Sequence, residues 1–247
     1  EQLRQADEFT QANALTSRAF CPIADQPPRP AWPRLLERMQ QWKTLAPHIP
    51  IMVTTYGLEP FIPDTLDIWT VHLPVMDTAN NRRILERVQQ GGEVWIYVNH
   101  EPARPYANFF IDFESVEHRI LFWQAWALGV KGVHYAGINA IDLDQSPYTN
   151  QLDITPTNGN NFLVYPGPSG PVNSIRWENI RDGIEDYDYL IMFHSLLRNL
   201  EKSAPNDPLV KRARTVANLN NLIPNLVEFS RDPELLLAKR NEIGELI

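Results

Sequence analysis

The sequence predicts an α/β fold of the (β/α)8 TIM-barrel type, of which this chain supplies the C-terminal five strands plus trailing helices. Three observations carry that reading. Short apolar runs alternate with amphipathic stretches across the first half of the 247 residues, the pattern of parallel βαβ units. Five such runs are visible, where a closed barrel needs eight. From Ser174 onward the pattern is helical almost to the end. An open, doubly wound five-stranded sheet is the alternative, although its nucleotide-binding form lacks the Gly-x-Gly-x-x-Gly turn that would follow a strand.

Residues 1–17 are polar with sparse apolar spacing (Leu3, Ala6, Phe9) and read as a helix or its tail. Ala19–Ala24 is a short apolar run that meets a sharp loop at Asp25-Gln26-Pro27-Pro28. Pro33 opens a helix with Leu35, Met39 and Trp42 at i, i+4 and i+7, and Pro47 closes it. Ile51–Thr55 and Asp67–Val71 are the next strands, stopped by Gly57 with Pro60 and by Pro74. Asn80–Gln90 reads as a helix ended by Gly91-Gly92, and Glu93–Val98 as a strand running into a proline-rich loop with His100, Glu101, Arg104 and Tyr106. Ser115–Leu128 is helical, with Val116, Ile120, Trp123 and Ala127 on one stripe and Gly129 at its stop. Gly132–Ile138 is the fifth strand. A long loop follows, with a small strand at Phe162–Tyr165, and Asp232-Pro233 marks the start of the last helix. The domain expectation is a partial barrel over residues 1–200 and a C-terminal helical extension over 201–247.

Composition narrows the function. A formal charge of −8 with no Lys/Arg block argues against a nucleic-acid partner, whose binding rests on neutralising phosphates. No apolar run reaches the ~20 residues that a membrane span requires. Cys21 is the one cysteine, so neither an internal disulfide nor a cysteine metal cage is expected. There are 21 prolines, against about 12 at the usual ~5 % frequency, so the loops are stiff. The chain begins at Glu1 with no signal-peptide pattern, which reads as a processed or partial chain.

In parallel α/β folds the working residues sit at the C-terminal ends of strands. Those ends carry Asp25/Gln26, Thr55/Tyr56, Val71/His72, Asn99/His100/Glu101 and Asn139. Asp25, pinned before two prolines, is either a site carboxylate or a turn residue ahead of Pro33. Along Glu93–Val98, aliphatic Val94, Ile96 and Val98 alternate with Trp95, Tyr97 and Asn99, so one face is aliphatic and the other aromatic and polar. Such a face either stacks on a sugar ring or fills a core; Trp69 and Tyr135 extend the same expected lining. Glu114, Glu117 and His118 share a helix face and read as a solvated face or an ion-pair network rather than a metal site. The dense run Arg181 to Tyr187 reads as a structural salt-bridge network at a helix start, and no Gly-x-Ser-x-Gly elbow is present. No metal or cofactor is implied.

The run Pro105 to Asp112 (PYANFFID), followed by Glu117 to Trp126 (EHRILFWQAW), resembles the C-terminal catalytic region of glycoside hydrolase family 123. Asn158-Gly159, Tyr165 to Gly167 and Ser174 to Arg176, leading into Arg181 to Tyr187, share the resemblance, which runs from about Phe20 to Leu190. It implies a barrel that acts on β-linked N-acetylgalactosamine by a retaining, substrate-assisted route, in which the sugar's own acetamido oxygen attacks the anomeric carbon. The family's catalytic pair is Asp-Glu, usually followed by Pro; the matching positions are Asp25-Gln26-Pro27. Asp25 would orient and stabilise the acetamido group. The next position should be the general acid, and Gln26 is an amide that cannot deliver a proton. Asp7-Glu8 is a literal acid pair, but neither a strand before it nor a Pro after it fits. Ala136 also departs from the second aromatic that the family tends to have after Tyr135.

The resemblance therefore implies a bacterial glycosidase, secreted or periplasmic, with Asp25 and Gln26 as the catalytic pair. Trp69, Trp95, Tyr97, Asn99, Tyr135 and Asn139 are the expected substrate-binding residues. Two alternatives stand beside it: a hexosamine-glycan-binding pseudoenzyme, and a barrel remnant used as an interaction domain. The partner expected is a glycan, together with a missing N-terminal segment or partner chain that completes the barrel.

Overall fold

The structure, a computed structural model, describes residues 1–57, 62–78, 81–140, 148 and 158–247. The sequence readings at Pro60 and Asn80, and most of the long loop after the fifth strand, lie outside the described residues. The chain divides into two compact units: Glu1–Tyr97 with Gly129–His134, and Val98–Leu128 with Tyr135–Ile247.

The first unit is built on a curled five-stranded parallel sheet, half of a barrel: β1 (Cys21–Asp25), β2 (Ile51–Thr55), β3 (Ile68–His72), β4 (Glu93–Val98) and β5 (Gly132–Tyr135). The spatial order follows the chain order. A doubly wound sheet reverses its order at a switch point; this one does not, which removes the open-sheet alternative. Strands β2 and β3 are buried along their whole length, as parallel strands covered on both faces are. Helices α1 (Gln2–Ala12), α2 (Trp32–Leu45) and α3 (Arg82–Gln89) complete the unit. α2 buries Leu35 and Met39 of the predicted stripe together with Trp32, while Trp42 is half-buried, and α3 buries Ile84.

Polar ties fix these helices to the strands. Asp7 on α1 accepts the backbone N–H of His48 at 2.9 Å and meets its Nδ1 at 2.9 Å, just ahead of β2. Asp67 takes the Lys43 ammonium from α2 and the N–H of Ile51 at 2.8 Å, so one carboxylate joins α2, β2 and β3. Arg87 on α3 donates to the carbonyls of Leu66 and Asp67, each at 2.8 Å, while its guanidinium lies 4.5 Å from the Trp69 ring centre.

The second unit packs α4 (Ser115–Leu128) against the long α5 (Ile175–Ser203), with α6 (Pro208–Val216) and α7 (Pro233–Gly244) beside α5. Ser174 caps α5, and Asp207 and Asp232 cap α6 and α7 with a proline at the first helical position of each. The helical pattern read from Ser174 almost to the end, with a last helix starting at Asp232-Pro233, is present in α5, α6 and α7 but is interrupted between α6 and α7. Between α6 and α7, Asn218 and Asn225 side chains accept backbone N–H groups two or three residues on, the Asx turns that compete with helix. The fifth strand is also shorter than expected. Gly137 adopts φ +88°, and the Ile138 carbonyl accepts the N–H groups of Leu163 and Val164. The small strand is β6 (Val164–Gly167), and its antiparallel partner β7 (Gly170–Asn173) carried no apolar signal to predict it.

Asp186 is the node between the helices of this unit. Fully buried, it accepts the Arg119 guanidinium from α4, Trp123 Nε1 at 2.9 Å and Arg240 Nε from α7 at 2.8 Å. The charge-dense segment is thus the salt-bridge network that its sequence predicts, although it lies within α5 rather than at a helix start. Arg176 makes a second node, donating to the carbonyls of Phe109 (2.7 Å), Gly159 (2.6 Å) and Phe162. Glu117, also fully buried, meets Arg104 at 3.0 Å and Arg231 at 3.1 Å.

Two consequences are measurable. A Cβ at Gly183 would lie 2.4 Å from the Phe122 ring, so this glycine sets the approach of α4 and α5. Overpacking costs ~1–3 kcal/mol, whereas Ala gains about 1 kcal/mol over Gly in a helix. Gly183→Ala should therefore be net destabilising in urea unfolding, by up to about 2 kcal/mol, and an increase in stability would show that the helices part freely. His118, only 2 % exposed, donates Nε2–H to the Phe110 carbonyl at 3.0 Å. Burial holds its pKa down to about 4, the Phe110 bond offsetting part of the effect and Arg176 adding to it. Below about 6.5 the unfolded chain takes up a proton that the folded chain refuses until about 4. Stability should therefore fall between those values, by on the order of 3 kcal/mol, and then level. A folded His118→Asn variant should lack this decline in Tm against pH.

Candidate active site

Parallel register partners project from the same face of a sheet, so the pairing decides which side chains share a surface. Ala24, Val53, Trp69 and Val94 are in register, as are Thr55, Val71 and Ile96; these form the helix-covered face. The inner face carries the other set: Asp25, Thr54, Thr70 and Trp95 in one row, with His72 and Tyr97 in the next.

Asp25 owes its place to a bulge. Pro22 pairs with Met52 but Ala24 pairs with Val53, so Ile23 is an extra residue in β1. Without it Asp25 would align with Thr55 and point to the helix side, because a one-residue slip exchanges faces. With it, Asp25 aligns with Thr54, on the inner face at the C-terminal end of its strand. Its side chain is exposed, and the Thr54 hydroxyl donates to Oδ1.

Gln26 follows with φ +44°, a left-handed conformation that is unfavourable for a residue with a Cβ. Its N–H is held by the Thr54 hydroxyl at 3.0 Å and the Thr54 carbonyl at 3.1 Å. Its side-chain Nε2 donates to the Tyr97 phenol oxygen at 3.0 Å. The Tyr97 ring in turn lies 5.1 Å from His72 and 6.1 Å from Tyr56, and Tyr56 meets His72 edge-on at 5.0 Å. Tyr56, 43 % exposed, is the accessible member of this aromatic cluster.

His134 completes the polar inner face. A Cβ at Gly132 would point onto the Trp95 ring at 2.6 Å, which fixes that side of β5 as inward, and His134 lies two residues on. Burial pushes the His134 pKa down, and the Asp25 charge opposes that shift. Among the described residues, no group of three His, Cys, Asp or Glu is arranged to hold a metal.

The expected binding residues separate. Tyr97 lies beside Gln26. Trp95 shares its face, but its ring turns away, toward Phe20 (4.9 Å) and with Nε1 donating to Glu93 (2.8 Å). There it lines a cleft of about 370 Å³ with residues that precede or begin strands, such as Ala19, Pro50 and Glu93. Trp69 is corrected outright. It falls on the helix-covered face, 1 % exposed beneath the guanidinium groups of Arg83 and Arg87, where no substrate reaches it. Tyr135 belongs to the second unit. There its phenol donates to Asn160 Oδ1 at 3.0 Å and accepts the Asn161 N–H at 2.9 Å, with its ring on Phe109. Asn99, also of that unit, has its carbonyl bound by Asn108, and its buried Oδ1 lacks a hydrogen-bond partner among the described residues. Asn139 is exposed and bridges to Phe162.

Thr54 and His134 were missed from sequence. Thr54 reads as one more β-branched strand residue, and only a count of faces through the bulge brings it beside Asp25. The spacing of Gly132 and His134 was the available signal for the other.

The site offers one solvent-facing carboxylate steadied by a hydroxyl, and beside it a neutral amide gripped by a phenol. That set can stabilise a developing positive charge and hold a polar ligand, but it places no carboxylic acid at position 26.

Residues 1–193 match the family model described as "Glycoside hydrolase 123, catalytic domain". No curated protein matches the chain. Among solved structures, the chain is similar to a family 123 glycoside hydrolase from Clostridium perfringens, whose structural analysis concerned glycolipid glycan hydrolysis. The TM-score is 0.61 at 14 % identity, and the match covers 99 % of this chain and 43 % of that one. The chain thus spans less than half the length of that enzyme, and the likeness speaks to the fold. On the family model, which covers more than three-quarters of its residues, this chain belongs to glycoside hydrolase family 123, in the catalytic domain.

Proposed function

We propose that the chain forms part of a retaining glycoside hydrolase for β-linked N-acetylhexosamine, N-acetylgalactosamine in particular, with Asp25 as its essential carboxylate. The observation that carries this reading is the bulge that turns Asp25 onto the inner face at the strand end, next to Gln26 at φ +44°. In the proposed reaction the acetamido oxygen of the bound sugar attacks its own anomeric carbon. The bond to the leaving oxygen breaks, and an oxazolinium ion forms. Asp25 receives the acetamido N–H and faces the positive charge as it develops, a preorganised electrostatic role. Water then opens the ring, with net retention.

Gln26 occupies the position from which a general acid would protonate the leaving oxygen. Its amide holds a hydrogen bond to Tyr97 but supplies no acidic proton. The same residue favours the second reading, a pseudoenzyme that binds a hexosamine glycan. Residues 1–200 are proposed as the partial barrel and 201–247 as its helical extension. β1 and β5 are the sheet's two edges, so a further segment or partner chain that pairs with them would complete the barrel.

Activity assays separate the two readings. A general acid contributes ~10²–10⁴-fold, most of all for poor leaving groups. The chain should be nearly inert on natural β-N-acetylgalactosaminides yet turn over an activated aryl glycoside, whose departure needs little protonation. Gln26→Glu should raise cleavage of the natural substrate by about 10²-fold or more and give a bell-shaped pH profile. Asp25→Asn should abolish turnover of both. A folded Gln26→Glu variant that binds sugar but cleaves neither would leave binding without turnover as the function.

A further inference from the structure

We infer that Thr54 is the positioning residue of this site, and that its single hydroxyl sets both the Asp25 carboxylate and the backbone of Gln26. The inference rests on the glycosidase reading for its chemistry, but its geometry is independent of it. Thr54 is 4 % exposed in the middle row of the inner face, in register with Asp25 on one side and Thr70 on the other. Its hydroxyl proton goes to Asp25 Oδ1, and a lone pair of the same oxygen accepts the Gln26 N–H at 3.0 Å. One buried oxygen is thereby donor to the first residue of the pair and acceptor from the second.

Both of its partners need such a tie. Asp25 is exposed on β1, at the edge of the sheet, with no neighbouring strand on its outer side among the described residues. An exposed carboxylate otherwise samples several rotamers, and a catalytic group must be held within fractions of an ångström of its working geometry. Gln26 sits in a left-handed conformation that persists only where surrounding contacts over-determine it. The hydroxyl, together with the Thr54 carbonyl at 3.1 Å, provides two acceptors for its N–H. Valine has the shape of threonine without the hydroxyl, so Thr54→Val removes both bonds while keeping the packing. Serine restores them.

The test uses the full chain and two ligands. A stable thiazoline analogue of N-acetylgalactosamine mimics the cyclised acetamido group and depends on Asp25, whereas free N-acetylgalactosamine binds largely through its hydroxyls. Hydrogen bonds to charged groups support an expected 10- to 100-fold loss of thiazoline affinity in Thr54→Val by calorimetry. Free-sugar affinity should change less than threefold, and Thr54→Ser should stay within threefold of the parent for both ligands. On an aryl glycoside the same variants should show a kcat loss in Thr54→Val at nearly constant KM, with rescue in Thr54→Ser. Crystal structures of the two variants read the geometry without any ligand: the Asp25 carboxylate should leave its rotamer in Thr54→Val and keep it in Thr54→Ser. An unmoved carboxylate in Thr54→Val, or thiazoline affinity equal to the parent's, overturns the inference. If the parent binds no thiazoline, the glycosidase reading fails instead, and the crystal structures alone decide the role of Thr54. Should Thr54→Val not fold, Thr54→Ala carries the same measurements.

Discussion

The register of β1 against β2 is the constraint on which the rest of the site depends. Strand side chains alternate with a period of two, so an extra residue at Ile23 reverses the facing of everything after it in β1. That reversal brings Asp25 beside Thr54 instead of Thr55, and places Gln26, at the end of β1, within reach of Tyr97 on β4. The partnerships of the inner face are therefore properties of the pairing rather than of any one side chain. They also explain why the site begins where β1 ends: the left-handed turn at Gln26 breaks the strand at the point where its carboxylate has been turned inward.

A register this consequential needs anchoring, and the anchors lie at the other end of the strands and on the helix-covered face. Asp67 binds Lys43 from α2 and the first N–H of β2, and so fixes the start of β2 against the start of β3. Arg87 reads the carbonyls of Leu66 and Asp67 while covering Trp69. A slip of β3 would break these charge-assisted bonds, worth roughly 1.5–3 kcal/mol each, and would bring Trp69 to the inner face. The tryptophan that looked like a sugar platform in the sequence is instead part of what keeps the sheet in register.

Much of the fold was legible because period and punctuation agree. Ile51–Thr55, Glu93–Val98 and Ser115–Leu128 form at their expected bounds, each an apolar run or stripe closed by a turn residue. The alternation in β4 correctly separates Val94 and Ile96 from Trp95 and Tyr97, since β4 is free of the irregularity that complicates β1. What failed did so for identifiable reasons. Trp69 has the chemistry of a sugar platform, but its facing depends on parity relative to the neighbouring strand, which one sequence does not display. The β6–β7 hairpin carries Pro and Gly where strand patterns have apolar residues, and the Asx turns after α6 sit in a stretch whose leucines mimic helical spacing. Thr54 was invisible for a related reason: its role lies in a bond to a residue 29 positions away.

The inner face also departs from what a barrel interior ordinarily requires, and it departs where the site lies. Such interiors are filled by Val, Ile and Leu in layers. Here the rows contain Asp25, Thr54, Thr70, His72 and Tyr97, and the Thr70 hydroxyl is buried with no hydrogen-bond partner among the described residues. An unsatisfied buried hydroxyl costs ~1–3 kcal/mol, and a left-handed non-glycine residue of the kind seen at Gln26 costs a similar amount. A sheet serving only as a scaffold would be more stable with Val at 54 and 70 and Gly at 26. Both departures fall on the row of Asp25 or on the residue next to it, whereas the helix-covered face of the same strands is apolar at Val53, Val71, Val94 and Ile96 and carries Thr55 as its buried polar residue among those in register. Local rules broken next to one another around Asp25 fit the proposal of a polar ligand at that face better than they fit a bare structural remnant.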